Sequence, residues 1–136
     1  MKVVVDVNVW ISGFLWGGIP GQILRLAYDN KIKNYVSAEL IRELDSTLRR
    51  PKFESRLARR DQTVESLLTI TKMLSQVVDI TDITFAELRD PADAKILSTA
   101  IAAQAQVLIT GDLDLLVLRS VQNIQILTPT QFLSFL

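Results

Sequence analysis

The sequence contains neither cysteine nor histidine. Without cysteine the chain has no disulfide, no thiolate zinc site and no cysteine nucleophile, which fits a reducing compartment. Without histidine it lacks the most common general base, the serine–histidine pair and every histidine-ligated metal site. Any hydrolytic chemistry must therefore use carboxylates, hydroxyl groups and hard metal ions.

The charges of the chain cancel, because 15 Lys and Arg residues face 15 Asp and Glu residues. No overall field attracts nucleic acid, so any such binding must depend on local clusters of charge. The first apolar run, residues 3–5, ends at Asp6 and is too short for a signal peptide or a membrane span. We therefore expect a cytoplasmic protein with no membrane contact.

Few residues break the chain, since it has only 5 Gly and 4 Pro among 136 residues, of which 49% are hydrophobic. This composition is globular, and the length suits one domain with one core, which we place over residues 1–136. The glycine-rich stretch 13–21 is also rich in apolar residues, so we expect it to be a packed loop and not a linker.

Short apolar runs alternate with stretches of helical spacing. Runs typical of buried strands occupy residues 3–5, 35–36, 77–78, 107–109 and 124–127, and helical spacing covers residues 40–48, 64–74 and 96–101. Helix caps are predicted at Ser37, at Asp90 before Pro91 and at Thr128 before Pro129. The pattern predicts an α/β fold with right-handed crossovers and about four or five parallel strands.

Two aspartates follow predicted strands at the point where each strand ends. Asp6 ends the run 3–5, and Asp112 follows the run 107–109 after Thr110 and one glycine, with Asp114 two residues later. In open α/β sheets the ligand site lies outside the carboxyl ends of the strands. If the strands are parallel, these carboxylates lie at one edge of the sheet.

Asp93 lies on the same helical face as the apolar residues 96, 97, 100 and 101. A carboxylate directed inward needs a cation or several hydrogen-bond donors, because burying an unpaired charge costs several kcal/mol. The first helical turn offers only about 0.3–1 kcal/mol of compensation. A metal ion would supply the remaining compensation for the buried charge.

Oxygen ligands from several carboxylates suit Mg²⁺ or Mn²⁺ and make zinc a poor candidate. One or two such ions can activate water for in-line attack on phosphorus and neutralise the leaving oxygen. Glu43, on the flank of the stripe formed by residues 40, 41, 44 and 48, can reach the edge of such a site, and Glu39 competes with it. Asp90 we assign to capping.

Several motifs in order resemble the PIN-domain family, most closely the toxin components (VapC-like) of toxin–antitoxin systems. They are residues 4–9 (VVDVNV), 15–18 (LWGG), 49–53 (RRPKF), 89–93 (RDPAD), 108–114 (LITGDLD) and 126–129 (ILTP). The resemblance implies a PIN-like α/β/α sandwich of three layers that cleaves single-stranded RNA and is inhibited by a small antitoxin. It also implies acidic ligands at Asp6, Glu43, Asp93 and Asp112, with Asp114 assisting and with Asn8 and Thr110 supporting them by hydrogen bonds.

Two positions depart from the family pattern. Val7 stands where a hydroxyl residue is usual, so one supporting hydrogen bond is missing. The stretch 92–94 (ADA) is poorer in acids than in most members. These departures keep a second hypothesis open, a catalytically weak PIN-like module that binds an antitoxin or RNA.

A basic segment follows the predicted helix at residues 40–48. The basic residues of this segment are Arg49, Arg50, Lys52 and Arg56, followed by Arg59 and Arg60. They either contact RNA phosphates or form an ordinary solvated helix face. Glu54 interrupts them.

Two apolar clusters also allow two interpretations. The aromatic residues Trp10, Phe14 and Trp16 cover the core or form a partner groove. The C-terminal residues 132, 133, 135 and 136 (F, L, F, L) pack internally or form a homodimer contact.

Two other enzyme classes are disfavoured. An aspartyl-nucleophile phosphatase requires an aspartate two residues after the nucleophile, where this chain has Asn8. Larger nucleases with related cores need helical regions for which 136 residues leave no room.

Overall fold

A six-stranded sheet organises the chain in the computed structural model, which describes residues 1–81 and 88–136. The order across the sheet is β3-β2-β1-β4-β6-β5. The strands are β1 (Lys2–Val5), β2 (Lys33–Val36), β3 (Ser75–Val77), β4 (Val107–Ile109), β5 (Ser120–Val121) and β6 (Ile124–Leu127). Five of them run parallel, which confirms the expected number, while β5 pairs antiparallel with β6. With only two residues, β5 has no periodicity to reveal it.

The helices connect these strands and cover the sheet. They are α1 (Val7–Trp16), α2 (Gly18–Tyr28), α3 (Ala38–Leu48), α4 (Glu54–Arg59), α5 (Val64–Met73), α6 (Pro91–Ala102), α7 (Leu113–Leu116) and α8 (Pro129–Phe135), with a short 3₁₀ helix at Pro51–Phe53. The predicted caps at Ser37, Asp90 and Thr128 are confirmed, since each side chain accepts a hydrogen bond from a backbone N–H of the first turn.

The direction of the connections reverses beside β1. From β1 the chain moves outward to β2 and β3, and then it returns across β1 to β4 and moves the other way to β6. Right-handed crossovers place helices of the two halves on opposite faces of the sheet, as in the expected α/β/α sandwich. The carboxyl ends of β1 and β4 therefore flank the switch point, where ligands bind in such folds.

The glycine-rich stretch 13–21, which we expected to be a loop, forms parts of two helices. Gly17, with φ of 69°, ends α1, and α2 begins at the next residue. Gly13 permits the close packing of these helices, because a Cβ there would lie 2.7 Å from Cδ1 of Leu24. Glycine therefore serves packing at one position and a turn at another, which local sequence does not distinguish.

The core lies between the sheet and its helices. Val3, Val4 and Leu108 are fully buried in the sheet, and Trp10 and Phe132 are the largest fully buried side chains. Across residues 1–81 and 88–136, the structure contains no helix with the length and hydrophobicity needed to cross a bilayer.

Candidate active site

The acidic residues that follow β1 and β4 lie at neighbouring strand ends. Val5 of β1 is in register with Ile109 of β4, and the backbone N–H of Asp6 donates to the carbonyl oxygen of Ile109 at 2.9 Å. Asp6 is the N-cap of α1, and Asp112 is the N-cap of α7. The expectation that parallel pairing brings the two strand ends together is confirmed.

Thr110 connects these two aspartates. Its buried hydroxyl donates to Oδ2 of Asp6 at 2.6 Å. The hydroxyl oxygen of Thr110 also accepts a hydrogen bond from the backbone N–H of Asp112 at 3.0 Å. The other carboxylate oxygen of Asp6, Oδ1, accepts from the backbone N–H of Val7 at 2.7 Å. Both oxygens of Asp6 are thus oriented by short hydrogen bonds.

Burial is the main influence on the ionisation of Asp6. It raises the pKa of this carboxyl above the ordinary value, because the charged form loses hydration. The hydrogen bonds from Thr110 and Val7 act in the opposite direction, and the negative charges of Asp112 and Asp90 raise the pKa further. A cation at this place would relieve both burial and repulsion.

Asp93 is buried in the first turn of α6, with 5% of its surface exposed, so its inward direction is confirmed. Its Oδ2 atom is buried and has no hydrogen-bond partner among the described residues. Burial, a side-chain hydrogen bond with Asp112 and the charges of Asp112, Asp90 and Asp6 together raise the pKa of Asp93 to about 7. The neutral form is therefore present at physiological pH when no cation is bound.

Three carboxylates, including that of Asp93, converge at this place. Asp93, Asp112 and Asp114 each contribute one oxygen, and these oxygens lie within 4.8 Å of one another. Asp114 is exposed, and its Oδ1 atom is 3.7 Å from an amino nitrogen of Arg89. Asp6 lies outside this tight group, although its charge acts on Asp93.

Glu43 lies nearer to the acids than its competitor Glu39 does. The pKa of Glu43 is raised by partial burial first and then by the charges of Asp6 and Asp90, so its carboxylate lies within electrostatic range of theirs. The carboxylate of Glu39 instead lies 4.0 Å from the guanidinium of Arg42 on the same helix. The structure thus brings Glu43 to the edge of the site.

Asn8 was expected to support Asp6 by a hydrogen bond. Within the described residues the oxygens of Asp6 accept from Val7 and Thr110, and the side chain of Asn8 is exposed. The supporting role of Asn8 therefore stays a prediction. The Val7 side chain is buried, so the missing hydroxyl leaves an apolar contact in its place.

Asp90 has a second effect besides capping. Its Oδ1 atom accepts from the backbone N–H of Ala92 at 2.9 Å, as predicted, and its charge raises the pKa of Asp6, Glu43 and Asp93. The predicted capping role accounts for the hydrogen bond of Asp90, and the exposed carboxylate also acts on the neighbouring acids.

Lys95 is a cation that the sequence argument missed. Its charge acts on Glu43, as does that of Arg50. An open cleft of about 400 Å³ adjoins them, lined by Glu39, Arg42, Glu43, Ser46, Ala92 and Lys95. Lys95 is the only basic residue on α6, two positions after Asp93, and this spacing was the available signal.

The four basic residues proposed to contact RNA have different environments. The guanidinium of Arg49 is 2.7 Å from Asp45 and 2.9 Å from Glu65, so its charge is compensated. Nε of Arg56 donates to the carbonyl of Leu15 at 2.7 Å. The charge of Arg50 acts on Glu43, and the ammonium of Lys52 lies 5.0 Å from the ring centre of Phe53.

The apolar clusters divide between core and surface. Trp10 is fully buried, whereas Trp16 is 55% exposed. At the C-terminus Phe132 is buried, while Phe135 and Leu136 are exposed. Each cluster therefore contributes to the core and leaves part of itself at the surface.

The donor set fits a hard divalent cation. Several carboxylate oxygens converge, one of them buried and without a partner, and no nitrogen or sulfur donor accompanies them. Mg²⁺ and Mn²⁺ prefer such oxygen ligands and retain some of their water. Without a cation, the raised pKa of Asp93 favours a proton on the cluster.

Comparison with known proteins agrees with this geometry. The family model for the PIN domain matches residues 2–114. An uncharacterized protein of Methanocaldococcus jannaschii is 34% identical over 137 aligned positions, which cover 96% of this chain and 86% of that protein. The fold is similar to a chain in the crystal structure of VapBC2 from Rickettsia felis bound to a DNA fragment from their promoter, with a TM-score of 0.62 and 17% identity over 93% of this chain and 97% of that one.

Proposed function

Because the chain belongs to the PIN domain family, we propose that it is a metal-dependent endonuclease that cleaves single-stranded RNA. The observation that carries this proposal is the unpartnered Oδ2 atom of Asp93, buried where the carboxylates of Asp112 and Asp114 converge. A buried carboxylate without a donor is costly unless a cation compensates it. The arrangement therefore fits a metal centre better than a purely structural cluster.

The metal ligands in this proposal are Asp93, Asp112 and Asp114, with Asp6 and Glu43 completing the acidic wall. When bound, Mg²⁺ or Mn²⁺ would lower the pKa of water and neutralise charge on the phosphate during cleavage. Hydrogen bonds within the site hold the carboxylates in position for this chemistry. Thr110 fixes Asp6 by its hydrogen bond, and Asp112 is held by the backbone N–H of Asp114 at 2.9 Å.

The cations beside the acids would position the RNA backbone. An RNA phosphate approaching five or six acidic groups is repelled unless positive charge lies on its path. Lys95 and Arg42 line the cleft next to Glu43, and Arg50 acts on the same carboxylate. We assign phosphate contact to these three residues ahead of Arg49, whose charge is already paired.

We further propose that this nuclease is the toxin of a toxin–antitoxin pair and that a small protein inhibits it. The fold it shares with a chain of the Rickettsia felis VapBC2 structure supports this, as do the sequence motifs. A homodimer is part of the same proposal. The exposed Phe135 and Leu136 are available for such a contact.

The test is cleavage of a labelled single-stranded RNA in Mn²⁺, in Mg²⁺ and in EDTA. Asp93→Asn should reduce the rate by at least a hundredfold, because it removes one ligand charge at the centre of the cluster. Asp61→Asn is the matched control, since Asp61 is exposed and has φ of 53°, a conformation that Asn also accepts. Equal cleavage by native protein and Asp93→Asn would refute the catalytic assignment.

A second candidate function is binding of RNA or an antitoxin without efficient cleavage, and the buried Val7 favours it. Thermal unfolding separates the two, because a cation that binds the folded state raises the melting temperature. If Mn²⁺ produces no shift while RNA still binds, the binding module is the better description.

A further inference from the structure

Trp16 is a large aromatic side chain that lies mostly outside the core. It is the last residue of α1, and 55% of its surface is exposed, whereas Trp10 on the same helix is fully buried. An exposed tryptophan carries a hydration cost that a binding partner can remove.

Neighbouring side chains hold the Trp16 ring in one orientation. The ring packs edge-on against Phe53 with centroids 6.2 Å apart, and the guanidinium carbon of Arg56 is 5.5 Å from its centre. Arg56 is itself fixed, because its Nε donates to the carbonyl of Leu15 at 2.7 Å. A ring held in this way loses little entropy when a partner stacks on it.

Cations connect Trp16 to the acidic cluster. The backbone N–H of Phe53 donates to the carbonyl of Arg50 at 3.0 Å, and Lys52 lies over the Phe53 ring. Arg50 in turn is near enough to Glu43 for its charge to act there. We name this surface the Trp16 strip, and it consists of Trp16, Arg56, Lys52 and Arg50, with the buried Phe53 supporting the Trp16 ring.

The charge of the strip favours a polyanion as its occupant. Glu54 is the only acidic residue among residues 49–60. Aromatic rings flanked by cations are the usual means of binding single strands without base selection, because every base offers a π face and every nucleotide a phosphate. A partner protein would gain less from this concentration of positive charge than a polyanion does.

We propose that Trp16 stacks on a nucleobase of the single-stranded RNA substrate, a few nucleotides from the phosphate that is cleaved. This inference rests on the proposed nuclease function. The ten residues of α1 separate Trp16 from Asp6 by about 15 Å along the helix, at 1.5 Å per residue. A dinucleotide in the acidic cluster is too short to reach the Trp16 ring, whereas a decanucleotide reaches it.

Steady-state cleavage of these two substrates tests the inference. For the decanucleotide, Trp16→Ala should raise KM about tenfold with kcat unchanged, since the contact lies away from the reacting atoms. Trp16→Phe keeps a π face and should stay within about threefold of the native KM. Cleavage of the dinucleotide should be the same in all three proteins.

Tryptophan fluorescence supplies a readout besides activity. The decanucleotide should quench the emission of the native protein but not that of Trp16→Phe, in which only the buried Trp10 emits. An unchanged KM for Trp16→Ala, or an equal loss on the dinucleotide, would overturn the stacking contact while leaving the nuclease in place. Failure of the native protein to cleave either RNA would overturn both proposals.

Sedimentation of Trp16→Ala identifies the rival occupant. If this variant changes the oligomeric state and leaves KM for the decanucleotide unaltered, the Trp16 strip is a protein contact, and the proposal is wrong.

Discussion

The hydroxyl of Thr110 donates to Oδ2 of Asp6 over 2.6 Å, although the two residues are 104 positions apart in the sequence. The same hydroxyl oxygen accepts from the backbone N–H of Asp112 at 3.0 Å. One buried side chain therefore fixes the positions of two acids that belong to different strands.

Replacing Thr110 with Val should weaken both the fold and the site. The shape is kept, but the N–H of Asp112 loses its acceptor and Asp6 loses a donor, at a cost of about 1–3 kcal/mol in the free energy of unfolding. Mn²⁺ affinity should fall about 10–100-fold, as for other partners that orient metal ligands. Urea unfolding and Mn²⁺ titration measure the two effects, and Thr110→Ser, which retains the hydroxyl, should preserve most of the affinity.

The pKa of Asp93 predicts how the metal-free protein responds to pH. The folded-state pKa of about 7 exceeds the ordinary value of 3.8 for an aspartate, so between these pH values the folded state binds a proton that the unfolded state lacks. The contribution of this group to stability is therefore greatest below about pH 4, declines as pH rises, and is constant above about pH 7.

Asp93→Asn should remove this decline and raise the melting temperature in EDTA at pH 8, because the amide carries no charge. Thermal unfolding from pH 5 to pH 8 measures the slope, and Asp61→Asn should keep the native slope. A native protein whose stability in EDTA rises over this range would contradict the assignment.

Mn²⁺ binding should weaken in acid for the same reason. The cation must displace the proton on Asp93, so affinity should fall up to tenfold for each pH unit below about 7. Calorimetric titrations at pH 7.5 and pH 5.5, in buffers of different ionisation enthalpy, measure the affinity and the protons released. Binding that is independent of pH would place the cation away from Asp93.

Two glycines of the α1–α2 pair should respond oppositely to alanine. Gly13→Ala places a Cβ 2.7 Å from Leu24 Cδ1 and 3.2 Å from the backbone of Pro20, which should destabilise the protein by about 1–3 kcal/mol. Gly21→Ala meets only the carbonyl of Gly13 at 3.7 Å, and the better helix propensity of alanine should stabilise it by up to about 1 kcal/mol. Chemical denaturation compares them directly.

Arg49 and Arg50 are adjacent but should differ in RNA binding. Two carboxylates already compensate Arg49, whereas Arg50 is close enough to Glu43 for its charge to act on that carboxylate. Arg50→Gln should lower the affinity for single-stranded RNA more than Arg49→Gln does and reduce the slope of log K against log salt by about one contact. Equal effects of the two substitutions would mean that the Arg49 ion pairs open when RNA binds.

The sequence was sufficient for those parts of the fold that depend on short-range patterns. Runs of β-branched residues indicate buried parallel strands, so the ends of β1 and β4 and the aspartates after them could be located from the sequence. The inward direction of Asp93 followed from helical periodicity alone. These predictions needed only the geometry of one strand or one helix.

The remaining features depend on contacts between elements. The α1–α2 pair was mistaken for a loop because glycine is typical of turns in the local sequence. Gly13 is instead needed because Leu24, eleven residues away, packs against it. The ion pair of Arg49 with Glu65 and the approach of Lys95 to Glu43 join different helices. No pattern within one helix encodes them.

The wide separation of the acids along the chain has a consequence for biosynthesis. Asp6, Glu43, Asp93 and Asp112 come from four segments, and Thr110, which holds Asp6, directly follows β4, the strand that pairs with β1. A nascent polypeptide still short of residue 114 cannot assemble the cluster. For the proposed nuclease, this order of synthesis would keep the ribosome and the encoding message out of its reach until translation is nearly complete.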